Sequence, residues 1–376
     1  MESAALSQII ERVRESARQG RALRIRGGGT KDFVGGPAVA LSKADVLDMR
    51  CLSGVVDYEP SELVVTVRGG TPLAELEALL ASRGQCLPFE PPRFAAGGTV
   101  GGMVAAGLSG PARATVGAVR DYMLGVEIIN GKGELLRFGG QVMKNVAGYD
   151  VSRLMAGSWG TLGVITEVSL KVLPVAPAEA TLRLECDQSS ALQRLHAWGG
   201  QPLPLNASCW VRDEGRGVLY VRLRGAKAAV EAACAGMGGE RLDTAQTAAD
   251  WDACRDHTLP WFTDRAGRPG LALWRLSVAQ TAPALGLPQG IEPELVEWQG
   301  ALRWVQAPAE CGTALQALAQ AAGGSATLFA APAQGVTLEM PAQGQRQPAL
   351  AAISQRLKQS FDPSDIFQPH RMGTGG

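Results

Sequence analysis

Three glycine clusters punctuate the first half of the chain: Arg26-Gly27-Gly28-Gly29-Thr30, Gly97-Gly98-Thr99-Val100-Gly101-Gly102, and Gly157-Ser158-Trp159-Gly160-Thr161-Leu162-Gly163-Val164-Ile165. Turns without side chains let backbone N–H groups close on a large anion. Their recurrence at separated places in one domain fits an extended dinucleotide better than a lone phosphate. The first cluster follows a short strand, Ala22 to Arg26, so its amides form a candidate anion concavity, with Arg26 or Lys31 adding charge and Thr30 a hydroxyl. The same triple glycine also suits an ordinary loop. In the second cluster, Thr99 to Gly107 reads either as a helix whose amino terminus faces a pyrophosphate or as a small-residue surface for tight packing.

Commoner nucleotide motifs are absent. No Gly-x-Gly-x-x-Gly opens a helix at Gly27, and no Gly-x-x-x-x-Gly-Lys-Ser/Thr occurs, which disfavours a Rossmann dehydrogenase and a P-loop NTPase. The three histidines, His196, His257 and His370, are isolated, and no carboxylate cluster has metal-ligand spacing, so no metal site is expected. Gly157-Ser158-Trp159-Gly160 is not a nucleophile elbow. The chemistry therefore belongs to a cofactor. Thirty-six basic residues balance 36 acidic ones with no Lys/Arg cluster, so neither nucleic acid nor direct membrane insertion is expected. Seven scattered cysteines without a Cys-x-x-Cys pair argue against a resident iron–sulfur or zinc site and for reduced, buried thiols; with no signal-peptide core, the expected location is cytoplasmic.

The length suggests two domains. Leu6, Ile9, Ile10, Val13 and Ala17 repeat at helical spacing. Leu63 to Val67 reads as a strand, and Thr71-Pro72 as an N-cap and first-turn proline before a helix carrying Leu73, Leu76, Leu79 and Leu80 and ending at Gly84. Val126 to Ile129 and Leu135 to Phe138 read as a hairpin turned by Asn130-Gly131 through positive φ. Val164 to Val172 alternates as a long half-buried strand. Pro174 and Pro177 mark the boundary between a first domain, 1–175, and a second, 176–376, whose strands (Thr181 to Glu185, Val218 to Leu223, Leu271 to Val278, Ala326 to Phe329) and helices near Ala191, Ala226 and Ala314 read as an α+β sheet domain. Leu350, Ile353, Leu357 and Phe361 form a last helical stripe, stopped by Asp362-Pro363. Arg120-Asp121 reads as an exposed or capping ion pair. In Lys144-Asn145-Val146-Ala147-Gly148-Tyr149-Asp150, Tyr149 reads as a buried aromatic and Asp150 as a turn residue. Trp251, Trp261, Trp274, Trp298 and Trp304 suit either a subunit interface or core packing.

Taken in order, these clusters with Arg120-Asp121 and Lys144 to Asp150 resemble the FAD-binding domain of the vanillyl-alcohol oxidase and p-cresol methylhydroxylase (PCMH) superfamily. The resemblance implies an α+β chain: a PCMH-type domain of two α/β subdomains holding an extended FAD, then an α+β sheet domain whose last twenty or so residues return toward the flavin. By position it assigns Gly27, Gly28, Gly29 and Thr30, with Arg26 and Lys31, to the first pyrophosphate loop, and Gly97, Gly98, Thr99, Gly101 and Gly102 to the second. Arg120, Asp121, Gly160, Gly163, Val164 and Ile165 complete the groove. Thr30 stands where covalently flavinylated relatives carry histidine, which implies non-covalent FAD.

The second half, through Trp251 to His257, Leu273 to Leu276, Gly300 to Trp304, Gly323 to Phe329 and Phe361 to Met372, resembles the E-type subunits of bacterial glycolate oxidase. Those act beside an FAD-containing D-type subunit and an iron–sulfur F subunit in oxidising glycolate to glyoxylate, which implies the same partners here and membrane association, if any, through them. Two departures bear on catalysis. The His-Gly-x-Gly-Asp-Gly-Asn segment of D-type subunits is absent, and the closing Phe-Asn-Pro-Gly-Arg-Met reads Phe367-Gln368-Pro369-His370-Arg371-Met372. Three readings follow: an FAD subunit for electron transfer or organisation, a self-sufficient 2-hydroxy-acid dehydrogenase, or a flavin-free scaffold. The second would use Arg275, Arg303 or Arg371 for the carboxylate and His257 or His370 as base.

Overall fold

The chain is described by a computed structural model at residues 4–35, 44–140, 149–213, 215–291, 295–332 and 348–368. The apolar stripe of α1 (Ala4–Gln19) buries Leu6, Ile9, Ile10 and Val13 against β1 (Leu23–Arg26) and β2 (Asp45–Asp48), which pair in parallel. Then follow β3 (Val55–Glu59), β4 (Val64–Arg68), α2 (Leu73–Ala81), β5 (Gln85–Cys86), α3 (Val100–Ala106), α4 (Arg113–Val116), β6 (Met123–Ile129), β7 (Leu135–Gly139), α5 (Val151–Met155), β8 (Val164–Lys171) and β9 (Leu173–Pro174). Five of these strands make an antiparallel sheet in the order β3-β4-β8-β6-β7. Its covered face packs Val65, Val67, Val168 and Leu170 against Leu73, Leu76 and Leu80 of α2 and Met103 and Val104 of α3.

Strand β8 is central rather than half-buried. The register between β6 and β8 slips at Thr166, a bulge that reverses the alternation. Ile165 thereby joins Val168 and Leu170 in one core, while Val164 turns into the core under α1. Thr166 is satisfied in the interior by donating Oγ1 to Glu127.

Thr71 does not cap α2: its Oγ1 donates to the Arg68 carbonyl and accepts from the Gly54 N–H, and Pro72 occupies the cap position without a side-chain bond. In the hairpin the positive φ falls at Gly133, and Asn130 Oδ1 closes the turn by accepting from the Lys132 and Glu134 amides. Tyr149 is fully exposed, not buried, and Asp150 caps α5 through the Arg153 N–H. Lys144 to Gly148 lie outside the described residues. Cys209 and Cys254 are buried thiols, whereas Cys51 is exposed.

Beyond β9 the chain enters a second antiparallel sheet. Its elements are β10 (Ala178–Glu185), α6 (Gln188–Gly199), β11 (Leu205–Asp213), β12 (Arg216–Gly225), α7 (Lys227–Met237), β13 (Glu240–Arg241), α8 (Thr244–Asp256), α9 (Pro260–Thr263), β14 (Leu271–Ser277), β15 (Leu295–Glu297), β16 (Leu302–Pro308), α10 (Gly312–Ala321), β17 (Ser325–Ala330) and α11 (Pro348–Phe361). The strand order is β13-β10-β12-β11-β15-β16-β14-β17. The periodicity of β11 is hidden by Asn206 and Ser208, which are buried because Asn206 accepts from Arg222 and Ser208 from the Gln299 N–H. Trp251, Trp274, Trp298 and Trp304 are core residues of this half, and Trp261 packs at its edge.

Polar contacts weld the two sheets. Glu90 accepts from Arg222 (2.6 Å), Arg224 (3.2 Å) and the Ala112 N–H, and Trp298 Nε1 donates to the Gly110 carbonyl. Burial alone would raise the Glu90 pKa, but the two guanidinium groups more than offset it and hold the carboxyl below its usual range. The end of the described chain crosses back: Leu23 donates to the Ile366 carbonyl and Gln368 to that of Leu23, forming a parallel bridge between Leu23 and Phe367.

Candidate functional site

A cleft runs where β1, α3 and the turn before β8 converge. Strand β1 ends because Gly27 to Gly29 break its pairing, with Gly29 at φ +71°. The loop is held by Asp32, whose Oδ2 takes Arg26 Nε at 2.9 Å and Arg24 Nη2 at 2.7 Å. None of the backbone N–H groups of Gly27, Gly28, Gly29 or Thr30 donates to an acceptor among the described residues. The second loop is fixed from behind: Val100 donates to Thr71 and Gly101 to Gly69, while Gly98 accepts from Leu73. Thr99 Oγ1 caps α3 through the Gly102 N–H at 3.3 Å.

The two loops touch directly. A Cβ on Gly28 would overlap the carbonyl oxygen of Gly97, and one on Gly27 would overlap the Thr99 hydroxyl. Packing thus explains part of the glycine requirement, alongside ligand approach. The third wall is tied to α3 by bonds from Gly157 to Val104 and from Trp159 to Ala105, with Gly160 at φ +74°.

The structure brings Arg26, Gly27, Gly28, Gly29, Thr30, Lys31, Thr99, Gly101, Gly102, Gly160, Gly163 and Ile165 together along this cleft. Gly97 and Gly98 are not among its lining residues, although the Gly97 carbonyl packs against Gly28. Val164 is buried under α1. Arg120 and Asp121 are not among the lining residues, because Asp121 Oδ2 is used locally to accept the Ala118 N–H at 2.8 Å. Sequence reasoning passed over Asp32, Gly69, Ala105, Trp159 and Gln368, which also line it. Gln368 had a signal, its place in the closing motif.

The cleft is open to solvent, with about 750 Å³ of empty space, open solvent included, between its walls. Gln368 Nε2 donates to the Ile25 carbonyl at 2.9 Å, and its buried Oε1 has no partner among the described residues. Free amides, small walls and an orphaned acceptor fit a dinucleotide diphosphate with hydrogen-bonding rings. Lys31 adds a cation at one side. Burial, opposed by Asp256, lowers its pKa to about 8, and Nζ lies 5.6 Å from the centre of the Phe94 ring.

Phe94 is also a wall of a second, much smaller pocket that contains His257, Arg275 and Glu297. His257 ends α8 in the left-handed region, φ +57°, and its ring stacks on Phe262 at 4.3 Å with Trp304 edge-on at 4.6 Å. Burial, reinforced by Arg275, pulls its pKa down to about 3, so it is neutral at physiological pH. Burial likewise lowers Arg275 to about 10. Arg303 is elsewhere: fully buried, it donates to the carbonyls of Gly300 and Ala282. His370 and Arg371 lie outside the described residues. Among the described residues no cluster suits a metal ion, and no helix is long and apolar enough to cross a membrane.

Glu297 accepts Trp304 Nε1 at 2.7 Å and Cys254 Sγ at 3.4 Å, yet burial raises its pKa to about 7. Because the folded pKa exceeds the ordinary carboxyl value, its contribution to stability is complete below pH 4.5 and is lost as pH rises through about 7. The shift corresponds to about 3 kcal/mol. Glu297→Gln, which keeps an acceptor for Trp304, is expected to lose less stability than the wild type between pH 5.5 and 8.5, as read by thermal unfolding at the two pH values.

Residues 4–139 match the family model described as FAD binding domain. The chain is 43% identical over 365 residues to the glycolate oxidase subunit GlcE of Escherichia coli (strain K12), covering 97% of this chain and 96% of that protein. It is 32% identical over 137 residues to the glycolate oxidase subunit GlcD of Bacillus subtilis (strain 168), covering 36% of this chain and 29% of the relative. A D-2-hydroxyglutarate dehydrogenase of Xanthomonas citri pv. viticola is 29% identical over 60% of this chain and 47% of its own length. Among solved structures, alkyldihydroxyacetonephosphate synthase superposes with a TM-score of 0.65 at 17% identity, covering 96% of this chain and 75% of that one, which shows a shared fold.

Proposed function

We infer, because this chain belongs to the family of the glycolate oxidase subunit GlcE, that it is the FAD-binding subunit of a glycolate oxidase complex. It holds FAD non-covalently in the glycine-walled cleft and acts in electron transfer or organisation beside a D-type FAD subunit and an iron–sulfur F subunit, the complex oxidising glycolate to glyoxylate. The observation that carries this reading is the cleft itself: unbonded amides at Gly27 to Thr30 face the wall formed by Thr99, Gly101 and Gly102. FAD supplies hydride acceptance and one-electron relay when bound. The protein's share is to cradle the diphosphate with amides, to place Arg26 and Lys31 beside it, and to close the groove with Trp159 and Gln368. Thr30 offers no imidazole for a covalent link.

The test uses the purified chain loaded with FAD. Acid precipitation is expected to release the flavin into the supernatant, and anaerobic glycolate is expected to bleach it fully once the D-type subunit is added. Flavin retained in the pellet would refute the non-covalent link. Failure to bind FAD, or full turnover by the complex without this chain, would overturn the reading.

A further inference from the structure

Three charged side chains line the cleft: Arg26, Lys31 and Asp32. Arg26 is paired with Asp32, whose Oδ2 also takes Arg24. Lys31 has no carboxylate within ion-pair distance among the described residues, and its one hydrogen bond there is a long one, 3.4 Å to Thr30 Oγ1. Asp256 attracts it through space but is itself engaged by Arg255 Nε (3.1 Å), Arg255 Nη2 (2.7 Å) and the Arg93 N–H (2.8 Å). Desolvation therefore outweighs that attraction, although the amine stays protonated at pH 7.

The unbonded amides of Gly27 to Thr30 end one residue before Lys31. The lysine carries its charge beyond them into an aromatic corner, 5.6 Å from the centre of Phe94, whose ring meets Phe33 at 5.3 Å and Phe329 at 6.0 Å. Such a corner receives a flat ring well and a diphosphate poorly. The amides and Arg26 suffice for the diphosphate, which leaves the ammonium at the edge of the cradle for the ring system.

We propose that Lys31 sets the redox balance of the flavin in this cleft, its ammonium holding the reduced ring more strongly than the oxidised one. The oxidised ring is neutral; taking up two electrons and one proton makes it an anion. The hydroxy acid supplies both electrons and that proton, releases its second proton to solvent and leaves as the 2-oxo acid. A fixed cation in a desolvated corner favours the charged product. The inference rests on the FAD reading above.

The test loads the purified full chain with FAD, reduces it stepwise with dithionite against a dye of known potential, and titrates oxidised and reduced FAD separately into the flavin-free chain. Wild type is expected to hold reduced FAD about tenfold or more tighter than oxidised FAD, which for a two-electron couple places its potential about 30 mV or more above that of free FAD. Lys31→Met should weaken oxidised FAD only a few-fold and reduced FAD by a further tenfold or so, and Lys31→Arg should restore most of the difference. An unchanged ratio in Lys31→Met that still binds FAD would overturn the proposal and leave the FAD reading standing. If Lys31→Met does not fold, the wild type decides: equal affinity for the two redox states overturns the proposal. A wild-type chain that binds no FAD in either state would overturn the FAD reading and this inference with it.

Discussion

A Gly28→Ala chain is expected to lose its grip on FAD by about 100-fold and to unfold at a lower temperature even without the cofactor. The added methyl would occupy the position of the Gly97 carbonyl oxygen, a backbone atom that cannot swing aside as a side chain can. Loops 27–29 and 97–99 must therefore part. Overpacking of this kind costs about 1–3 kcal/mol in stability, and the upper end corresponds to about 100-fold in affinity if the strain is relieved only in the open, non-binding arrangement. Gly98→Ala is the matched control. Its Cβ would meet Thr30 Oγ1 at an ordinary 3.4 Å, so the flavin-free melting temperature should stay near the wild type. Thermal unfolding without FAD, followed by FAD titration through flavin fluorescence, checks both variants. Equal melting temperatures for the pair would show that the contact between the loops does not limit stability.

The second large effect is expected at Asp362, whose side chain is almost wholly buried. Its carboxylate accepts Lys358 Nζ at 2.6 Å and the N–H groups of Ile366 (3.2 Å) and Phe367 (2.8 Å). The same ammonium donates to the carbonyls of Thr161 and Phe367, so one ion pair joins the end of α11, the turn before β8 and the segment that lies beside β1. Asp362→Ala strands two buried amides and leaves partly buried Lys358 with the exposed Asp365 as its remaining carboxylate partner. Removing one partner of such a pair costs about 3–5 kcal/mol. Because Gln368 follows directly and lines the cleft, FAD affinity should fall together with stability. Denaturant unfolding and FAD titration of the variant measure the two losses. Retained FAD affinity in a destabilised chain would separate the closing segment from the cofactor site.

How much was legible in sequence depended on whether local chemistry or distant packing fixed each feature. The stripe of α1, the hairpin strands and α11 follow from apolar spacing and appear where the pattern places them. Thr99 as a helix cap is likewise local. Thr71 was misleading because a hydroxyl before a proline can serve the preceding turn as well as the following helix, and contact with Gly54 decides between them. The face swap in β8 could not be read from alternating residues, since the bulge at Thr166 exists only in its pairing with β6. Gly131 is in the turn but without the positive φ its Asn-Gly pair suggested, and the space beside it is taken by Asp362. In the cleft, the glycine loops announced themselves, whereas Asp121 went to a local cap and Gln368 arrived from the far end of the chain. The cavity around Arg275 had no linear signature: β14, β15, α8 and the loop carrying Phe94 meet there only in three dimensions.

The bond from Gln368 to Ile25 joins residues separated by 343 positions. On a ribosome, the amino-terminal lobe emerges long before its closing strand has been made. Loop closure over such a separation is slow compared with local helix and hairpin formation. A nascent chain therefore spends most of its synthesis with the Leu23 edge bare and the cleft lacking one wall. Cofactor capture becomes a late event in biogenesis, and an exposed strand edge of this kind is where a chaperone or a mispaired neighbour competes with correct folding.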